Sequence, residues 1–545
     1  MNTFKKIICA GLTALFAFSA VFITAGKSSA NYPDSIPIIF IHGEGCPIGT
    51  VDEEGEFHRI DNMGIDTGKL TSLLSENKEM LLRSFVTQDW TDFCDFIEEF
   101  MVESFGELAL GNDGMPKDDA FAIVNWGTFE PYATEDYIRE RYEGEDNSLN
   151  KYMFWYDWRL DPTDNMERLH DFADLILKVT GSEKYAIVGR CEGACLATTY
   201  WDTYHDPRIS DIILYASALK GAIPIGEAFS GSMYVDPESI ERFVYEADLN
   251  VNMEVTDYLT ITDQTINTIL KVASDMYGLD YACWAINNVY GQIYSTVTPK
   301  ALRKTFATFP GFWAMCEDKY FEKAKEVMFG GCEDEYAGLI EKIDNYHYNI
   351  MDRAEEILQN AIDSGVEVSN VVKYGYQSYP LSPDSDVLSD QMCRVDYAGL
   401  GTTCTKVGET FSAAYINKAT AEGNAKYISP DRVIDASTTM LKDTTWYVKN
   451  ITHQNFTNAM DCIFFEIANT DGMTVETNPD YPQFMFFEND PENLRPFNVD
   501  EDKTKTDEYN EDVSRKISRF IKPIFKIVFL IITFITKALT LPARS

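Results

Sequence analysis

Ten residues constrain this chain more than any others: Tyr185-Ala-Ile-Val188 running into Gly189-Arg190-Cys191-Glu192-Gly193-Ala194. The first four read as a buried strand, and the residues after Gly193 read as a helix to about Tyr204. A reactive side chain with a glycine two residues away on each side is the layout of a tight strand-to-helix turn. Such a turn strains the central backbone and needs small flanking residues to avoid collision. It also lifts the central side chain onto a helix N-terminus, where the dipole and free N–H groups favour negative charge. For a thiol, that setting lowers the pKa towards a nucleophilic thiolate. Cys191 occupies the position that serine takes in the G-x-S-x-G form of the turn. The competing reading is an inert buried thiol in a degenerate turn.

The surrounding pattern predicts an α/β fold with a mostly parallel sheet covered by helices on both faces. Pro37–Ile41, Phe121–Asn125, Tyr152–Tyr156, Tyr185–Val188 and Asp211–Tyr215 read as strands. Asp164-Asn165-Met166-Glu167 resembles a capping box, with Leu169, Phe172, Ile176 and Val179 at helical spacing before Gly181. This rhythm breaks near residue 220. Residues 221–365 read as a mainly helical cap inserted between a first core segment, 31–220, and a second, 366–487. Strand patterns return at Val371–Tyr374 and Thr445–Val448, and a helical run holding Met460, Ile463, Phe464 and Ile467 follows.

The ends of the chain read differently. Lys5 and Lys6, an apolar run from Ile7 to Ala25 and Ser28-Ser29-Ala30 have the layout of a secretory signal over 1–30. Residues 488–512 read as an acidic linker. In 513–545, Arg515, Arg519, Lys522 and Lys526 share one helical face. The uncharged run Ile527–Thr536 spans about 15 Å as a helix, half of a bilayer core of about 30 Å. A basic interfacial helix with peripheral membrane contact is therefore expected, the alternative being that it docks on the acidic body.

Of 46 basic residues, three fall in 1–30 and seven in 513–545, leaving 36 between them against 87 acids. A body this acidic repels phosphate backbones and argues against a nucleic-acid partner. Ten cysteines follow the signal segment, with no CxxC pair, so neither a metal nor another cofactor is expected. Cys393/Cys404 and Cys316/Cys332 are guesses at disulfides, permitted by export.

A nucleophile at Cys191 needs a base and an acid later in the chain. His42, His58, His170, His205 and His347 lie in an early turn, an acidic loop, two helices and the cap. His453 alone follows a late strand. The acid belongs between Cys191 and His453, with Asp431 first and Asp435 as the alternative. The N–H of Glu192 pairs with one from the early His42-Gly43-Glu44 loop, Glu44 being the candidate, to form an oxyanion hole. Asp157 and Arg159 read as a buried ion pair bracing the sheet rather than as catalytic groups.

Tyr156-Asp157-Trp158-Arg159-Leu160, the spacing to Gly189-x-Cys191-x-Gly193, and Phe309-Pro310-Gly311-Phe312-Trp313 resemble the lecithin–cholesterol acyltransferase-like α/β-hydrolases over roughly residues 35–465. Asp431 followed by His453 is similar too. The resemblance implies an α/β-hydrolase fold, a lipid-like acyl-ester substrate and an acyl-enzyme intermediate. The chain departs from that family at Cys191 (for serine), at Ala194 (for glycine) and at Asp431-Arg432 (for Asp-Gly). The expectation is an exported, membrane-associated lipase, esterase, thioesterase or acyltransferase. The other class is a non-catalytic binding protein on the same scaffold.

Overall fold

The computed structural model describes residues 35–511 except 44–45, 53, 61–76, 88, 118–119, 124–131, 144–146, 148, 247–279 and scattered positions in 281–298. The signal segment, Glu44 and the basic tail therefore lie outside the described residues.

Eight strands form the main sheet: β1 (Ile38–Ile41), β2 (Lys151–Phe154), β3 (Tyr185–Arg190), β4 (Ile209–Tyr215), β5 (Glu367–Tyr374), β6 (Thr445–Lys449), β7 (Phe484–Asn489) and β8 (Glu492–Pro496). Their spatial order is β8-β7-β6-β5-β4-β3-β1-β2. Every neighbouring pair is parallel except β7 with β8. The fold class is thus α/β. Parallel strands of this kind are apolar on both faces, because crossover helices cover each side. Alternate residues divide between two cores. Ile39, Ile41, Ile187, Ile212 and Leu214 join one cluster, while Ile38, Phe40, Val188, Ile213 and Tyr215 join the other. Helices α1 (Met166–Thr180), α2 (Glu192–Tyr204) and, later in the chain, the helix Ala354–Asp363 cover the first face. Helix α6 (Asn458–Ala468) covers the second through Met460, Ile463, Phe464 and Ile467.

Local sequence explains the ends of α1. Gly181 takes φ +73° and donates its N–H to the Leu177 carbonyl, a left-handed stop that a side chain would strain. The start differs from the expected capping box. Asp161, not Asp164, accepts the Thr163 N–H at 2.9 Å and caps a short 3₁₀ turn, Pro162–Asn165, that leads into the helix. The Asp164 carboxylate instead reaches Lys342 at 2.6 Å.

Between β4 and β5 the described residues are mainly helical, including Pro310–Ala314, α3 (Asp318–Phe329), α4 (Ala337–Tyr346) and α5 (Ala354–Asp363). The cap is fastened to the core by aromatic packing. Trp158 stacks on Phe312 at 5.7 Å and meets Phe309 edge-on at 5.8 Å. Gly311 donates its N–H to the Arg159 carbonyl, and a Cβ there would lie 2.1 Å from the Trp158 oxygen. Only glycine permits that approach.

Two expectations need correction here. Phe121–Ala122 forms a strand, but it pairs antiparallel with Ile48–Val51 in a separate three-stranded sheet, burying Ile48 and Ala122. Residues 488–511, most of the expected linker 488–512, are instead structured. They complete β7, form edge strand β8, and add a helix at Lys505–Glu511, with Leu494, Phe497 and Tyr509 buried. An edge strand with one face in solvent tolerates the polar residues that suggested a linker.

Arg159 and Asp157 form a bidentate pair (2.6 and 2.9 Å), and Arg159 also donates to the Leu108 carbonyl. Both side chains are almost wholly buried. Replacing Arg159 with Leu strands the carboxylate, so unfolding free energy in denaturant should fall by about 3–5 kcal/mol. A loss below about 1 kcal/mol would show that the pair does not brace the sheet.

Candidate active site

The chain enters the sheet at β1, continues to β2 on one side, and then crosses to β3 on the other. The carboxyl ends of β1 and β3 thus flank the point where strand order reverses, the usual place for a ligand crevice in an open parallel sheet. His42-Gly43 leaves β1 there, and Cys191 leaves β3. Cys191 takes φ +54° and ψ −120°, with its N–H donated to the Tyr215 carbonyl at 3.0 Å. Three glycines make room for it. A Cβ on Gly189 would lie 2.5 Å from the Gly193 oxygen, and one on Gly193 would lie 2.3 Å from the Ile41 oxygen. One on Gly43 would meet Cys191 Cβ at 2.9 Å.

His453 lies in the loop after β6, before α6. Its Nδ1 bonds the Asp390 carboxylate at 2.7 Å, and its backbone N–H donates to the Asp390 carbonyl at 2.8 Å. The opposite ring nitrogen, Nε2, finds no partner at full hydrogen-bond geometry, and the group acting on it is the Cys191 thiol. Thiol, imidazole and carboxylate thus stand in series, none more than 2% exposed.

Two buried cations hold this loop. Arg190 donates to the His453 carbonyl at 2.9 Å. Lys373, at the end of β5, donates to the carbonyls of Thr452, His453 and Asn455 at 3.1, 3.1 and 2.7 Å. Three acceptors use all three N–H bonds of an ammonium, although burial pulls the Lys373 pKa well below its ordinary value.

The charges are tightly coupled. A hydrogen bond from Cys393 holds the Cys191 thiol well below its ordinary pKa. Burial opposes this, while the His453 and Arg190 charges reinforce it. Burial alone would lower His453, but Asp390 and Cys191 more than offset it and push the ring up to about 9. Burial would raise Asp390, yet the imidazolium and Lys373 keep it low. The arrangement favours a thiolate–imidazolium pair at neutral pH. His42, by contrast, is desolvated down to about 3, stays neutral and stacks on Trp155.

The acid is therefore not where the sequence suggested. Asp431 accepts from Lys449 at 2.9 Å and from Ser429, in a cluster that includes Asp507. Asp435 caps a short turn through Ser437 and accepts from Tyr415. Both carboxylates are committed elsewhere, and Asp390 takes the place against His453. The available signal was positional: Asp390 follows β5, whereas Asp431 and Asp435 precede β6 without following a further strand of the main sheet.

Glu192 opens α2, so its N–H has no acceptor within the helix. Its side chain is fully buried, with Oε1 2.7 Å from where a Cβ on Gly311 would sit. Glu44, the other expected oxyanion donor, lies outside the described residues. None of the ten described cysteines is in a disulfide, so neither guessed pair forms. Cys393 is instead at the site, and the Cys332 thiol bonds the Phe329 carbonyl. A carboxylate oxygen of Asp390, the Cys393 sulfur and a His453 nitrogen lie within 4.8 Å of one another and could together hold a soft cation.

No family model matches the chain, and no curated protein matches it significantly.

The pKa directions set a pH profile. The thiol is ionised above its depressed pKa, and the imidazole keeps its proton until about 9. Alkylation of Cys191 should therefore set in well below the ordinary thiol range, while any turnover needing the imidazolium should fall as pH rises through about 9. Lys373→Met should slow both without changing the thiol's accessibility. Stopped alkylation followed by mass spectrometry checks this, and a Cys191 that reacts only above pH 9 would refute it.

Proposed function

We propose that this chain is an exported α/β-hydrolase, similar to the lecithin–cholesterol acyltransferase-like enzymes, that transfers acyl groups from lipid-like esters or thioesters through Cys191. The observation that carries the reading is the series Cys191–His453–Asp390 at the crossover of the sheet, with the thiol on a strained turn at a helix N-terminus. Contact between two segments that carry the resemblance, Tyr156–Leu160 and Phe309–Trp313, supports it further.

The chemistry follows from these groups. The Cys191 thiolate attacks the acyl carbonyl carbon, and the Glu192 N–H receives the developing oxyanion. As the carbon–oxygen bond breaks, the His453 imidazolium gives its proton to the departing alkoxide. The neutral ring then takes a proton from water or an acceptor alcohol, whose oxygen attacks the thioester and releases Cys191. Asp390 keeps Nε2 directed at the reacting atoms throughout. Because Cys191 is 2% exposed, acylation requires the side chains that cover it to move aside.

The basic segment 513–545 would bring the enzyme to an anionic membrane surface. No helix among the described residues is long and apolar enough to cross a membrane.

Incubation with acyl esters should give an intact-mass adduct mapping to Cys191, and Cys191→Ala should abolish it. Rates should rise from acetyl to octanoyl esters, since each buried methylene adds about 0.8 kcal/mol. On esters carried in anionic vesicles, a chain ending at 512 should be slower than the full chain and less sensitive to salt. Full esterase activity in Cys191→Ala would end this reading, and a flat chain-length profile would exclude the lipid-like substrate.

A further inference from the structure

Acyl transfer as written passes no bond or proton through Cys393, yet this residue stands beside the nucleophile. Its N–H donates to Asp390 Oδ1 at 2.7 Å, fixing the turn that carries the carboxylate. Its sulfur lies 3.6 Å from the Ala216 carbonyl oxygen. The adjacent carbonyl, Tyr215, accepts the Cys191 N–H. The two cysteines therefore hang from consecutive residues at the end of β4.

The Cys393 sulfur also lies within 4.8 Å of a His453 nitrogen, its thiol is the largest influence holding the Cys191 pKa down, and both residues are buried, at 1% and 2% exposure. The single S–H of Cys393 can serve either the Ala216 oxygen or the Cys191 sulfur. Other thiols are differently placed. Cys195, one turn along α2, meets Tyr346, and burial raises its pKa. A reactive thiolate with a second thiol in contact is the arrangement in which a sulfenic acid is captured as a disulfide before it oxidises further.

We propose that Cys191 and Cys393 form a reversible disulfide when the site meets a small peroxide, with Cys393 as the resolving thiol, and that this modification switches acyl transfer off. The inference rests on the nucleophilic Cys191 of the preceding reading. The Cys191 thiolate attacks one peroxide oxygen and the O–O bond breaks. The departing oxygen takes the His453 proton and leaves as water, and Cys191 becomes the sulfenic acid.

Neutral His453 then accepts the Cys393 proton, and the Cys393 sulfur attacks the Cys191 sulfur. The S–O bond breaks, and the leaving hydroxide takes that proton as a second water. For hydrogen peroxide the sum is two thiols oxidised by two electrons and one peroxide reduced to two waters. A dithiol reductant reverses it by exchange.

The test treats the full chain with limiting hydrogen peroxide and maps peptides without reduction. A product about 2 Da lighter, with the peptides of Cys191 and Cys393 joined, is expected. Ester turnover should fall in step and return with dithiothreitol. Cys393→Ser keeps a hydrogen-bond donor but removes the sulfur. Its Cys191 should pass instead to a sulfinic acid, about 32 Da heavier, that dithiothreitol does not reverse.

Two outcomes would overturn the proposal. One is wild-type Cys191 reaching the sulfinic acid as fast as it does in Cys393→Ser. The other is Cys191 joining a different cysteine. Peptide mapping of the wild type alone decides between partners, whatever the stability of the variant. A disulfide without any acyl adduct would retain the redox pair and reject the acyl-transfer reading. An adduct without the disulfide would do the reverse.

Discussion

The backbone of Cys191 governs the site. Its positive φ is a conformation that a residue with a Cβ occupies only when its surroundings enforce it. Here the enforcement comes from both sides. The Cys191 N–H and carbonyl are tied to β4 and to Ala218, while Gly189, Gly193 and Gly43 allow β1, β3 and α2 to close around it. Any side chain at Gly193 would push α2 off the end of β1. The strained turn, the crossover of the sheet and the reach of the sulfur are thus one constraint.

The second dependence is on buried charge. Arg190, Lys373 and Asp390 are nearly solvent-free, and no compact salt bridge joins the cations to Asp390 among the described residues. Instead the two cations satisfy backbone carbonyls of the histidine loop, and Asp390 satisfies the ring, the loop N–H and two further N–H groups of its own turn. In a low-dielectric site such a network fixes orientation, because each group moved would leave a polar atom unpaired. It also biases the proton distribution towards thiolate and imidazolium, which is what a sulfur nucleophile requires.

Much of this was legible in the chain. Strands β1, β3 and β4 are short apolar runs because both faces are covered, and the glycine spacing around Cys191 reflects contacts that only glycine allows. His453 stood out because one histidine alone follows a late strand. Asp390 did not, since its loop also holds Asp384 and Asp386, and its pairing with a histidine 63 residues away is purely tertiary. The likeness to an Asp-Gly position drew attention to Asp431, which the structure gives to Lys449. Cys393 was equally hidden, because nothing in its neighbourhood points to a sulfur contact across the sheet. Residues 488–512 misled through composition, as an edge hairpin can be as acidic as a linker.

Beside the Cys393 hydrogen bond, Asp390 acts through His453 to favour the thiolate of Cys191. The rate of Cys191 alkylation against pH, measured side by side for wild type, Asp390→Asn and Asp431→Asn, tests it most directly. The account predicts that Asp390→Asn moves the onset of reactivity to higher pH, because the imidazolium loses its counter-charge. Asp431→Asn should leave the onset in place. A shift in Asp431→Asn with none in Asp390→Asn would contradict the account.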